Sequence, residues 1–226
     1  MADQIPRPKI SDGYLGMQAK FNEIGLSTLS HEDPLLELNG NAIEIIIGYN
    51  QPTRFTTKLL LCNSGGQDNP NFVMVNNLQG RMCYTITVPQ IGYYKFQIYA
   101  LPTCEAGPNM VNVFNYVLFF KEITDEFRPF PKQYPPWKNG CYMWEPRGIP
   151  HGCRAPGVPF KVHLPNAQQV MVTAGGEWTE LQKVEDCVFQ GLVDLSRQEM
   201  AGGGKVHLNV KGKGQTQYTT YLEYDV

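Results

Sequence analysis

The chain has 226 residues, 42% hydrophobic and 18% charged, with a formal net charge of -2. That length suits two domains of about 100 residues, and the composition is that of a folded chain rather than a disordered one. No cluster of Lys or Arg supplies the positive surface that nucleic acid needs, and the apolar runs fall far short of the roughly 20 residues that span a bilayer, so neither nucleic-acid partners nor membrane insertion is expected.

The N-terminus reads Met-Ala-Asp-Gln-Ile-Pro-Arg-Pro-Lys, without the apolar stretch of a secretory signal, and residues 1–30 are expected to form an N-terminal extension. Within it Met17, Phe21 and Ile24 fall at helical spacing between Gly16 and Gly25 and mark one short helix candidate. Alternation then dominates. Ile43, Ile45, Ile47 and Tyr49 share one face of a strand, and Met82, Tyr84, Ile86 and Val88 another; Phe96, Ile98 and Ala100 repeat the pattern, and residues 113–120 form a further β-rich run. Turn-forming residues separate these strands at 38–41, 64–70, 89–92 and 105–108. Regularly spaced short strands of this kind predict a first β-sandwich over residues 31–126.

Nine of the seventeen prolines lie between Pro129 and Pro165, in company with Trp137, Trp144, Cys141 and Cys153. Proline removes a backbone donor and fixes φ, so neither a helix nor a central strand can run through such a stretch. Its large aromatics suit docking onto neighbouring domains better than they suit a flexible linker. Residues 127–139 are therefore expected to be a structured joint that fixes an interdomain angle, with a second sandwich over residues 140–226. Strands are expected there at 160–164, 169–172, 188–193, 205–210 and 217–224, with tight turns at 202–204 and 212–214.

The two halves end alike. Gly92-Tyr-Tyr-Lys-Phe-Gln-Ile-Tyr, a turn and residues 113–120 correspond to Gly204-Lys-Val-His-Leu-Asn-Val, a turn and residues 218–224, which implies two copies of one closing hairpin. Gly92-x-Tyr94-x-Phe96 also has the form of a tyrosine corner, with Phe96 where an antibody domain places its second cysteine. The expected fold is all-β: two tandem immunoglobulin-like β-sandwich domains joined by a proline/aromatic-rich structured segment, without the inter-sheet disulfide. Six cysteines split three and three across the joint, an odd number per half, and no Asn-x-Ser/Thr glycosylation acceptor occurs. Both features favour a reducing cytoplasm.

Several motifs resemble one family. They include residues 25–34 (Gly-Leu-Ser-Thr-Leu-Ser-His-Glu-Asp-Pro), the Gly92 and Asn115-Tyr-Val-Leu runs, Pro129-Phe-Pro-Lys-Gln-Tyr with Trp137, and Gly140-Cys-Tyr-Met-Trp-Glu-Pro. Residues 160–167 and the closing Tyr221-Leu-Glu-Tyr-Asp-Val add to them. Together they resemble the paired immunoglobulin-like domains that follow the transglutaminase-like domain of kyphoscoliosis peptidase, hillarin and their relatives. In that family a papain-like Cys, His and Asp lie in the upstream domain, which is not expected in a chain that starts at Met1, about two dozen residues before the first module. The resemblance thus implies the non-catalytic half, an intracellular location and association with cytoskeletal assemblies.

A nucleophilic Cys141 with His151 ten residues on is the sharpest enzyme candidate, but Pro146 and Pro150 oppose the helix that would activate the thiolate, and no orienting acid can be assigned. Packing in the joint is the simpler role. Cys141, His151 and Cys153 lack a fourth metal ligand and fit no paired zinc spacing. Gly202-Gly-Gly-Lys205 lacks the Ser/Thr and the helix of a phosphate loop. His163 and His207 read as sheet-face residues, and His31 as part of a turn in which Ser30 or Asp33 bonds backbone amides. No catalytic residue, cofactor or metal is expected. Partner-contacting aromatics are expected at Trp137, Tyr142 and Trp144, against the alternative that they only dock the joint on its domains. The sequence points to a non-catalytic protein-binding or scaffolding protein of the cytoplasm with cytoskeletal partners; the alternative is a cysteine-dependent transglutaminase/peptidase-like remnant using Cys141 and His151.

Overall fold

Alternating side chains need a second apolar layer to face, and the first half of the chain supplies both layers. The computed structural model describes residues 5–63, 65–107, 109–196 and 204–226. Two units are resolved: one ends with Val75 and resumes at Gln79–Phe127, and the other comprises Asn76–Leu78 and Arg128–Val226.

The first unit contains strands β1 (Gly16–Met17), β2 (Leu26–Thr28), β3 (Leu35–Leu38), β4 (Ala42–Tyr49), β5 (Thr53–Leu61), β6 (Val73–Leu78, of which Asn76–Leu78 group with the second unit), β7 (Arg81–Thr87), β8 (Gly92–Pro102) and β9 (Val111–Phe120), with one α-helix, α1 (Lys20–Glu23). One sheet runs β1-β9-β8-β5, with β3 also beside β9; the other runs β2-β4-β7-β6. Only β3 against β9 is parallel among the registers described, pairing Leu35 with Val117. The alternating sets face inward: Ile45, Ile47, Met82, Tyr84, Ile86 and Val88 are fully buried opposite Phe96, Ile98 and Ala100. Tyr84 of one sheet meets Phe96 of the other edge-on, with ring centroids 5.5 Å apart. That aromatic pair bridges the sheets at Phe96, the position where an antibody domain places its second cysteine. The tyrosine corner is present, the buried Tyr94 donating its hydroxyl to the Gln90 carbonyl at 3.1 Å.

Within the N-terminal extension expected over residues 1–30, residues 16–28 join the sheets and core of this unit. Gly16 pairs with Asn115 and Leu26 with Tyr49, and Phe21, Ile24 and Leu26 are buried in the core. The helix shrinks to four residues because Gly16 and Gly25, at φ of 80° and 74°, turn the chain out of helical conformation at both ends. Such short elements bury apolar side chains without repeating long enough to show a period.

In the second unit, β10 (Lys132–Gln133), β11 (Tyr142–Glu145), β12 (Val158–His163), β13 (Ala167–Ala174), β14 (Glu177–Glu185), β15 (Val188–Val193), β16 (Lys205–Gly212) and β17 (Thr219–Asp225) form one path, β10-β17-β16-β13-β14-β15-β12-β11. The first half of β14 pairs with β13 and the second half with β15, so one strand serves two sheet portions. Phe160 of β12 and Tyr224 of β17 meet edge-on at 6.0 Å inside, and Val162, Val170, Val172, Leu208 and Leu222 are fully buried.

The segment expected as a joint over 127–139 groups with this unit from Arg128 onward. Its Lys132 and Gln133 pair with Glu223 and Leu222, and the Tyr134 N–H donates to the Tyr221 carbonyl. Proline confines it to the sheet edge, as its missing donors require. Gly202 and Gly203 of the expected 202–204 turn lie outside the described residues, as do Ser64 and Pro108 of two others. No described helix is long and apolar enough to cross a membrane.

Candidate functional site

Strand β11 ends the second sheet. Its register runs from Tyr142 against His163 and Met143 against Val162 to Glu145 against Lys161. Trp144 is skipped, the extra residue of a bulge, and bulges re-aim side chains. Met143 points into the core at 0% exposure, whereas Trp144 stands 37% exposed. The Trp144 ring lies 5.2 Å from that of Tyr142, and the Lys161 ammonium sits 5.3 Å over the indole. Arg147 donates to the Tyr142 hydroxyl at 3.4 Å, and His163 donates from Nδ1 to the Gly140 carbonyl at 3.1 Å. The backbone side of β11 is occupied: the Asn77 N–H donates to the Cys141 carbonyl at 2.7 Å, and Asn76 Oδ1 accepts from the Met143 N–H at 3.0 Å. An incoming strand therefore finds those groups taken, and recognition here falls to the aromatic and cationic side chains.

Trp137 does not belong to this surface. It sits in a 3-10 turn, Pro135–Lys138, and is fully buried, so no partner can reach it. Two prolines start the turn and direct the indole inward.

Cys141 is 1% exposed and its thiol donates to the Pro136 carbonyl at 3.8 Å. Burial pushes that thiol up to about 12, the reverse of the shift that activates a nucleophile. His151 is exposed in the connection between β11 and β12 and makes no hydrogen bond to it. Among the described residues no three His, Cys, Asp or Glu side chains are grouped to hold a metal. His31 takes its turn role at φ 53°, with Ser30 Oγ accepting from the Ile46 N–H and Asp33 Oδ1 from the Leu35 N–H.

A second exposed aromatic cluster in this unit was not among the expected sites. Trp178, 54% exposed, lies 5.3 Å from Tyr218, whose ring the Lys211 ammonium overlies at 5.5 Å. A polar ladder crosses the same sheet. Thr220 donates to Asn209 Oδ1 at 2.8 Å, Asn209 donates to Thr173 Oγ1 at 3.1 Å, and Thr173 lies 3.4 Å from His207 Nδ1. His207 Nε2 is 3.4 Å from Glu223, which also receives Lys205 and, at 2.9 Å, the Tyr134 hydroxyl. The hydrogen bond from Lys205, with that from Tyr134, holds the Glu223 carboxyl down at about 2. The missed signal is a lone Trp178 in a strand that is charged or polar at most positions: only Leu181 of β14 is buried, so no apolar period announces the strand.

Facing sheets, a tyrosine corner and an aromatic inter-sheet pair define an immunoglobulin-like β-sandwich protein. The KY-like, immunoglobulin-like domain matches residues 10–131, more than half of the sequence. The chain belongs to that family, the kyphoscoliosis-peptidase-like immunoglobulin modules. No curated protein matches it. Similar solved structures include the titin fragment Titin-A168169, 13% identical over 84% of this chain and 93% of that one at a TM-score of 0.23. Neural ectodermal development factor IMP-L2 is 11% identical over 89% and 94% at 0.29, and the periplasmic chaperone SfaE 11% identical over 89% and 98% at 0.30. At such scores these likenesses lend no weight to any function.

Proposed function

We propose that the chain is a non-catalytic protein-binding or scaffolding protein of the cytoplasm, engaged with cytoskeletal or other large assemblies. The observation behind this reading is the Tyr142–Trp144 pair with Lys161 and Arg147, which a bulge turns outward on the last strand of the second sheet. Exposed aromatics flanked by cations are the side chains that dominate protein interfaces. Six thiols unpaired in disulfides fit a reducing compartment. The cytoskeletal part of the proposal rests on kinship with the family, since fold alone does not fix function.

Lysine cross-linking with mass spectrometry in native extract tests it, because Lys161 lies over the indole. Cross-links from Lys161 to other proteins are expected, and Trp144→Ala should remove them. An unchanged set of partners in the Trp144→Ala, Tyr142→Ala double variant would remove this surface from consideration.

A further inference from the structure

The outer face of the first unit holds a feature that the second-unit surface does not explain. A cleft of about 380 Å³ lies open on the β2-β4-β7 face, lined by Ser27, Leu29, Gly48, Asn50, Gly80 and Arg81 among others. Its geometry follows from register: Ser27 pairs with Gly48, and Gly48 with Arg81. Side chains of one face line up across strands, so a hydroxyl and a guanidinium flank a position that has no side chain. Ser27 leans over that position, since a Cβ built on Gly48 would stand 2.6 Å from Ser27 Oγ and 3.1 Å from Leu29 Cδ1. Leu29 is 51% exposed beside it. Arg81 is the one charged residue of the lining. It is exposed, at the start of β7, and neither Glu nor Asp is paired with it among the described residues.

We propose that this cleft receives a carboxylate side chain from an extended acidic segment of a partner protein. Arg81 and Ser27 donate to the carboxylate above Gly48, and Leu29 covers an apolar neighbour on the same segment. Charge complementarity sets the occupant: a lining with one unpaired guanidinium and no carboxylate favours an anion, and the planar fork of arginine matches a carboxylate with two parallel hydrogen bonds. The cleft is open on the sheet face, so it suits a side chain presented from a larger partner better than a free small molecule, which needs enclosure on most sides. This site is separate from the Trp144 surface, and failure of either leaves the other standing.

The test is selection from a terminally blocked random decapeptide library by the full chain, beside Arg81→Gln and Ser27→Ala. Both substitutions fall on exposed positions, and unchanged thermal unfolding verifies their folds. Enrichment of Asp or Glu at a fixed position is expected, with peptides so selected binding Arg81→Gln about tenfold more weakly and Ser27→Ala weakened less. Absence of an acidic preference, or the same preference in Arg81→Gln, would overturn the proposal. So would Arg81-dependent sedimentation with phosphatidylserine vesicles unaccompanied by peptide enrichment, which would assign the guanidinium to a lipid surface instead.

Discussion

The two closing hairpins, β8–β9 and β16–β17, share a path and differ in what fixes them. Each is antiparallel and each has one register shift, between Ile98 and Tyr99 in the first and between Leu208 and Asn209 in the second. In the first, aromatics fix the register on both faces: Tyr94 meets Phe120 edge-on at 5.5 Å inside, and Tyr93 stacks on Phe119 at 4.1 Å outside. Its corner tyrosine bonds a carbonyl four residues upstream. The second keeps its outer face polar, with Glu223 receiving Lys205, His207 and Tyr134, and its last buried tyrosine, Tyr224, reaches the Pro146 carbonyl 78 positions away at 2.9 Å. The first hairpin is also braced by β1 and β3, with Asn115 donating to the Tyr14 carbonyl and Tyr116 to the His31 carbonyl, whereas the second is braced by the proline-rich segment packed against it. A common backbone design can thus be fixed mainly by aromatic pairs or by a charged cluster on its outer face, and the Glu223 carboxylate of the latter ties it to pH.

Removing the support of the second hairpin gives the largest expected effect. Trp137→Ala should lower the stability of the second unit by about 3–5 kcal/mol, as for other buried aromatic truncations. Amide exchange should accelerate in β16 and β17; exchange in β8 and β9 reports the first unit separately. Uniform exchange in β16 before and after would show that the proline-rich segment is dispensable to it.

Buried tyrosines of the first unit sharpen the contrast between satisfied and orphaned hydroxyls. Tyr94→Phe should cost about 1 kcal/mol, the worth of its bond to Gln90. The fully buried Tyr84 hydroxyl has no hydrogen-bond partner among the described residues, so Tyr84→Phe should leave stability unchanged or raise it by about 1 kcal/mol in urea denaturation. Equal losses in the two variants would mean that Tyr84 is also bonded.

Acid gives the smallest effect and separates the hairpins. The Glu223 carboxyl is lowered from 4.5 to about 2 in the folded chain, so its contribution is full above about pH 4.5 and is lost as pH falls through about 2. Between those values the unfolded state binds more protons, and stability should fall with pH. Glu223→Gln should flatten that part of the pH profile for β16–β17 amides and leave β8–β9 amides unaffected.

Periodic elements were legible in the sequence. The alternating sets at 43–49, 82–88 and 96–100 became buried faces, and Val188–Val193 stands where the sequence placed it. Local chemistry was legible too, as Tyr94 shows. Distant or aperiodic contacts were not. β14 buries one residue, so its pattern is that of a surface loop. Asn41, read as a turn residue, is 1% exposed and joins β4 to the chain after β9, donating to Val88 and Asp125 and accepting from Thr124 and Asp125. Of the expected partner aromatics, burial separated Trp137 from Tyr142 and Trp144, a distinction set by a turn and a bulge that composition does not encode.

Thiol reactivity tests most directly whether the chain binds rather than catalyses. Native alkylation with limiting iodoacetamide, read cysteine by cysteine by mass spectrometry, ranks all six thiols at once. The exposed Cys104 should react first and Cys141, buried with its thiol pushed up to about 12, should react last or only on unfolding. Fastest alkylation at Cys141, suppressed by His151→Ala, would contradict the account and restore the cysteine enzyme.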